Sequence, residues 1–154
     1  MNSDRNANRR PEGGKMKLSD AVEKVIGLAK DIREYWETEL PKRHPDYPVM
    51  NPGEQELPPP PEEKKLAKLF AGLPDDVVYQ IGLLMYLGRG DFGVHELADY
   101  YKTLKENFDS AAALASQLTG KATLADYLQD GLAELEKHNI DVDGLPLKPT
   151  KARK

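Results

Sequence analysis

The chain has 154 residues, a net charge of −4, twelve prolines and no cysteine. This length allows one domain, and the lack of cysteine excludes disulfides and thiolate chemistry, which fits a reducing compartment. The polar N-terminal residues contain no apolar stretch, so we expect neither a secretory signal nor a membrane anchor, and we expect a cytoplasmic protein.

Charge is segregated along the sequence. Residues 1–17 carry five Lys or Arg against two Asp or Glu, and residues 148–154 carry four Lys or Arg and no acid, so the intervening residues have a net charge of −11. Short basic ends without aromatic residues are typical of solvated tails, and an acidic body repels phosphate backbones. We therefore predict disordered basic tails at 1–17 and 148–154, a single helical domain at 18–147, and no membrane partner, and the charge pattern disfavours nucleic acid as a partner.

The first predicted element is a long amphipathic helix over residues 18–40, with Ser19 or Asp20 as its N-cap. We expect Pro41 to end it, because proline lacks the N–H that would continue the helix. Its apolar stripe repeats at spacings of three and four residues: Leu18, Val22, Val25, Ile26, Ala29, Ile32, Trp36 and Leu40.

A Pro-rich linker follows at residues 41–61, which contain eight of the twelve prolines. Such a segment is irregular or adopts polyproline II conformation. It lacks flanking basic anchors for an aromatic groove on a partner, which favours a spacer. We expect Tyr47, Val49 and Met50 to hold part of this linker against the body.

The most apolar stretch comes after a short helix predicted at residues 62–71. No charged residue occurs between Asp76 and Arg89. A helix that is apolar on all sides is surrounded by other elements, so we predict the central helix of the fold here, with Gly82 at a close helix contact. The run is too short to cross a bilayer. Its aliphatic residues are Val77, Val78, Ile81, Leu83, Leu84, Met85 and Leu87.

A tight corner is predicted at residues 88–91. Gly88 would end the central helix in the left-handed conformation, and Asp91 would cap the next helix by accepting a hydrogen bond from the backbone N–H of Gly93 or Val94.

Three more helices complete the prediction. One begins after the corner and extends to about residue 108; an Ala-rich helix at 111–118 is capped by Asp109 or Ser110; and a last helix opens with a capping box of Thr123 and Asp126. No strand-like alternation occurs. The sequence thus predicts an all-α fold, a compact orthogonal bundle of about six helices around the central apolar helix.

Two motifs carry a family resemblance. Residues 69–92 contain L-M-x-L-G-R-G-D-F, and residues 124–132 read L-A-D-Y-L-Q-D-G-L. These motifs resemble those of the small bacterial proteins grouped as domain-of-unknown-function family 3775, and the opening L-S-x-x-x-E-K-V of the first helix is similar to that family's opening. The chain differs from the pattern at Tyr86, where Trp is usual, and at Lys121 and Ala122, where a proline commonly precedes the last helix. The resemblance implies no established activity, cofactor or catalytic residue.

The candidate chemical site is the corner, with Arg89, Asp91, His95 and Asp99. If the helix begins at Phe92, the spacing i, i+4, i+8 places the last three along one face. A histidine with two carboxylates suits a divalent metal or acid–base catalysis, with Arg89 holding an anion. A structural explanation is favoured, with Asp91 as a cap, Arg89 paired with Asp91 or with another acid nearby, and His95 and Asp99 as a pair on the helix surface.

Two functional hypotheses remain open. The first is a non-enzymatic protein-interaction or self-association module, with a protein partner or a homo-oligomer and with no cofactor or metal. The second is a small metal-dependent or acid–base enzyme working at the corner.

Overall fold

The computed structural model describes residues 16–47, 49, 51–53 and 58–145. No strand occurs among these residues, and the predicted all-α fold of six helices is confirmed. In the same part of the chain, no helix is both long and apolar enough to cross a membrane. The whole predicted C-terminal tail and all but two residues of the N-terminal tail lie outside the described residues. In order, the elements are α1 (Leu18–Arg43), α2 (Pro61–Gly72), α3 (Asp75–Arg89), a 3-10 helix (Val94–Glu96), α4 (Leu97–Asn107), α5 (Ala111–Thr119), α6 (Leu124–Lys137) and a second 3-10 helix (Val142–Gly144).

Helix α3 is buried along most of its length and packs against α6, α5, α4 and α1. Asp75 and Asp76 lie in its first turn, where negative charge is favourable beside the positive end of the helix dipole. The predicted close contact at Gly82 is confirmed, because a Cβ there would lie 2.8 Å from Cδ2 of Leu114 in α5. Its buried residues are Val78, Tyr79, Ile81, Gly82, Leu83, Leu84, Met85, Tyr86 and Leu87.

Helices α3 and α6 approach closely at two glycines. A Cβ on Gly88 would lie 1.8 Å from the carbonyl oxygen of Tyr127, and a Cβ on Gly131 would lie 2.4 Å from the carbonyl oxygen of Leu84. The prediction that Gly88 ends α3 is wrong, because α3 extends to Arg89. Gly90 ends it, with φ 91°, in the left-handed conformation that glycine adopts without strain.

The N-terminus of α1 is capped by a residue from the other end of the chain. Lys17 is the N-cap and forms no side-chain cap, so the prediction of Ser19 or Asp20 is wrong. Instead the backbone N–H of Ser19 donates to Oδ1 of Asp143 at 2.8 Å, and its hydroxyl donates to Oδ2 at 2.9 Å. This carboxylate satisfies a first-turn N–H that has no partner within the helix.

Proline 41 does not end α1, contrary to the prediction, because α1 runs on to Arg43. The backbone N–H of His44 closes the last turn by donating to the carbonyl of Leu40 at 2.7 Å. A proline this close to the end removes only one of the helix hydrogen bonds, and the remaining turn persists.

The linker is held differently from the prediction. Tyr47 and Val49 are 56% and 63% exposed, so they do not pin it, and Met50 lies outside the described residues. In the described part of this segment, His44 and Pro60 are buried. At the returning end, the hydroxyl of Tyr35 donates to the carbonyl of Pro58 at 2.7 Å, which fixes the entry to α2.

Of the caps predicted for the last two helices, one is correct and one is wrong. Ser110 caps α5, and its Oγ accepts from the backbone N–H of Ala113 at 3.1 Å. The capping box of Thr123 and Asp126 does not form, because Thr123 makes no side-chain cap and the carboxylate of Asp126 binds Arg33 of α1.

Candidate functional site

At the corner, Arg89 and Asp91 bind each other. The guanidinium donates from Nε to Oδ1 at 3.0 Å and from Nη2 to Oδ2 at 2.7 Å. The hydrogen bond to Asp91 is the main reason that the pKa of Arg89 is raised. The guanidinium also lies 4.9 Å from the ring centroid of Tyr86. The arrangement is a bidentate ion pair on an aromatic ring, which stabilises the corner.

The other two predicted site residues do not join this pair. The helix does not begin at Phe92, because a 3-10 helix occupies residues 94–96 and α4 begins at Leu97. The i, i+4, i+8 argument therefore fails for Asp91, which precedes both helical segments. His95 and Asp99 are exposed, and neither forms an ion pair or a side-chain hydrogen bond with Arg89 or Asp91 within the described chain.

The cap predicted for Asp91 is supplied by another residue. The backbone N–H of Gly93 donates to Oε1 of Glu96 at 2.9 Å, while both carboxylate oxygens of Asp91 accept from Arg89. Across residues 16–47, 49, 51–53 and 58–145, no group of three or more histidine and carboxylate side chains is placed to hold a metal ion. The corner is thus a packed turn with one internal ion pair.

A different region of the structure is concave. The C-terminal half of α1, helix α2 and the turn between α5 and α6 enclose a groove, which we call the Trp36 groove. It consists of two adjoining recesses of about 400 and 350 Å³. The residues shared by both recesses are Ile32, Trp36, Leu66, Thr119, Lys121 and Ala122.

The groove exists because α1 is longer than the helices that cover it. Helix α1 has 26 residues, whereas α2 has 12 and α6 has 14. At 1.5 Å per residue, α1 is roughly 39 Å long against roughly 18 and 21 Å for its neighbours. The fully buried part of its stripe ends at Ala29. Ile32, Trp36 and Leu40 continue the stripe, and all three are only half-buried.

Arg33 ties α1 to α6 at the edge of this groove. Its Nη1 lies 2.5 Å from Oδ2 of Asp126, and its Nε lies 3.2 Å from Oε2 of Glu37. The hydrogen bond to Asp126 is the main reason that the pKa of Arg33 is raised. The positive charge of Arg33 is therefore balanced within the protein.

Lys121 is the second cation that lines the groove, and its charge is not balanced as that of Arg33 is. It follows α5 in the turn that lines the groove, and it is half-buried. Among the described residues, no carboxylate lies within ion-pair distance of its Nζ. The next helix, α6, begins three residues later, and its N-cap Thr123 forms no side-chain cap.

Sequence reasoning missed this groove because it grouped Ile32, Trp36 and Leu40 with the rest of the apolar stripe of α1. The available signal was the length of the stripe. An apolar stripe that extends over a helix longer than its neighbours has residues left over, and the only tryptophan of the chain lies in that part.

The fold is that of a small all-α protein, and its segment from α2 to α6 matches a known family model. Residues 63–137 match the sequence model of a family described as a protein of unknown function, DUF3775, which confirms that this segment is similar to that family. The matched range leaves out α1, and with it the opening motif of the first helix and Trp36. Searches of the curated proteins and of the solved structures gave no match.

The structure explains both family motifs by packing. Gly88 lies in the first motif and Gly131 in the second, and these are the two glycines at which α3 and α6 approach. Asp126 of the second motif binds Arg33. The motifs therefore account for helix contacts, and they identify no catalytic group.

Proposed function

We propose that this chain is a non-enzymatic protein-interaction module whose partner docks in the Trp36 groove. The observation that carries the proposal is the half-buried stripe of Ile32, Trp36 and Leu40, which forms one wall of a continuous apolar recess. Tryptophan is enriched in interface hot spots, because its large apolar surface gains most when a partner excludes water from it.

The geometry of the corner supports this proposal over an enzyme. A general acid or base must lie within hydrogen-bond reach of the group it serves, and an anion-holding arginine needs free donors. Arg89 directs Nε and Nη2 at Asp91, whose carboxylate balances its charge, and His95 is exposed without a carboxylate partner in the described chain. The residues that were candidates for catalysis thus have structural partners or none.

Affinity purification from the native cell tests the proposal with three forms of the full chain. We expect the wild type to capture a partner in stoichiometric amount, and Trp36→Ala to lose it, because the largest apolar surface of the groove is removed. Tyr47→Ala is the matched control, since Tyr47 is an aromatic residue that is 56% exposed and outside the groove. It should retain the partner.

Circular dichroism of both variants checks that each is folded. The same samples go to analytical ultracentrifugation, where a dimer dispersed by Trp36→Ala would identify the partner as a second copy. Capture that is the same for the wild type and Trp36→Ala would contradict the groove as docking surface.

A further inference from the structure

The charge of the Trp36 groove specifies the chemistry of the partner, provided that the groove is the docking surface proposed above. A cation in a half-buried, mostly apolar place costs solvation free energy unless an anion compensates it. Arg33 is compensated by Asp126 and Glu37. Lys121 is not compensated by any carboxylate of the described residues, so the groove has positive charge available at the turn between α5 and α6.

The start of α6 adds to this positive charge. Thr123 and Leu124 line the groove together with Lys121, and the first turn of α6 has no side-chain cap. The backbone N–H of Leu124 donates to the carbonyl of Lys121 at 3.2 Å, and the positive end of the helix dipole still favours a nearby anion. The acid of that turn, Asp126, is bound to Arg33 across the groove wall.

Each recess that Lys121 lines also contains one carboxylate. Glu63 lies in the first turn of α2 and lines one recess, and Glu37 lines the other. A partner with acids along its whole length is repelled there, whereas one with a carboxylate at the Lys121 end is attracted. This uneven distribution selects both composition and orientation.

We infer that the partner is a peptide segment that inserts an aromatic or large aliphatic side chain against Trp36 and places an Asp or Glu carboxylate on Lys121. In a helical segment, these two side chains stand three or four residues apart, so that both face the groove.

Selection from a phage-displayed library of random peptides tests this directly. The baits are the full wild-type chain, Lys121→Glu, Trp36→Ala and, as a charge control, Lys102→Glu, which changes an exposed lysine of α4 outside the groove. We expect the wild type and Lys102→Glu to enrich peptides with an apolar anchor and an acid within one helical turn. Lys121→Glu should enrich Lys or Arg in place of the acid, and Trp36→Ala should enrich neither.

One enriched peptide that contains no tryptophan is then synthesised and titrated by fluorescence against the three baits that retain Trp36. Trp36 is the only tryptophan, so its emission reports occupancy of the groove itself. The inference predicts a blue shift on binding and a dissociation constant about tenfold weaker for Lys121→Glu, equivalent to the loss of one half-buried ion pair.

Each other outcome contradicts a defined part of the account. Enrichment of apolar peptides without any charge preference, or of no peptide, would contradict the inference of an acidic partner. The proposal that the groove is a docking surface would then be tested by the affinity purification alone. Peptides that bind Trp36→Ala as well as the wild type would overturn the groove and the inference together.

Discussion

Gly88 and Gly131 set the distance between α3 and α6, since each faces backbone atoms of the other helix. Backbone cannot move aside as the end of a flexible side chain can, so a methyl group at either position separates the two helices. At Gly82 the neighbouring atoms belong to the side chain of Leu114, which can adjust.

Gly88→Ala should therefore lower the free energy of unfolding by about 3 kcal/mol or more, because overpacking outweighs the roughly 1 kcal/mol that alanine gains over glycine in a helix. Gly27→Ala is the control. Gly27 lies in α1 with nothing within 4 Å of its added Cβ, so this variant should gain about 0.5–1 kcal/mol. Urea unfolding measures both, and equal stability of the two variants would contradict the close contact.

Tyr101 makes stability depend on alkaline pH. Burial, with the negative charge of Asp76 and a hydrogen bond to it, raises the pKa of Tyr101 to about 12 from its ordinary 10.0. The unfolded chain therefore releases this proton first as pH rises. The contribution is constant below pH 10 and is lost between pH 10 and 12.

Urea unfolding at pH 8 and pH 11 checks this dependence. The wild type should lose more stability between the two values than Tyr101→Phe does, because phenylalanine has no proton to lose. An equal loss in the two proteins would show that the hydroxyl of Tyr101 titrates normally in the folded state.

At the scale of elements, the periodicity of apolar residues predicted the helices, and tertiary contacts decided their ends. The cap of α1 comes from Asp143, which is 124 residues away from Ser19. No local sequence motif predicts a capping residue so far away, so Ser19 and Asp20 were the reasonable local candidates. Gly88 was assigned as a helix stop for the same reason, because its contact with Tyr127 is invisible along the chain.

Asp143→Ala tests the distant cap. We expect it to lower the free energy of unfolding by about 1 kcal/mol, as the loss of an N-cap usually does. Asp20→Ala, which removes the locally predicted cap and an acid of the same first turn, should cost no more than about 0.3–0.5 kcal/mol through the helix dipole. A larger loss of stability for Asp20→Ala than for Asp143→Ala would show that the local residue Asp20 is the cap.

The candidate site shows the same division between sequence and tertiary structure. The pairing of Arg89 with Asp91 was one of the structural alternatives that the sequence offered. The separation of His95 and Asp99 from that pair depended on where α4 begins. The Trp36 groove depended on the relative lengths of α1, α2 and α6, which are fixed only when the helices are assembled.

At the scale of the whole molecule, two regions are candidates for the functional site. The corner is closed by its own ion pair, whereas the Trp36 groove combines a half-buried apolar wall with a cation that lacks a partner in the described chain. The acidic body gives the molecule a field that disfavours an acidic partner except where Lys121 counters it.

Hydrogen–deuterium exchange of the chain with and without its captured partner compares these two regions in one measurement. We expect the partner to slow exchange in residues 32–40 and 119–124 and to leave residues 88–99 unchanged. Slowed exchange at 88–99 with no change along 32–40 would contradict the docking groove and place the function at the corner.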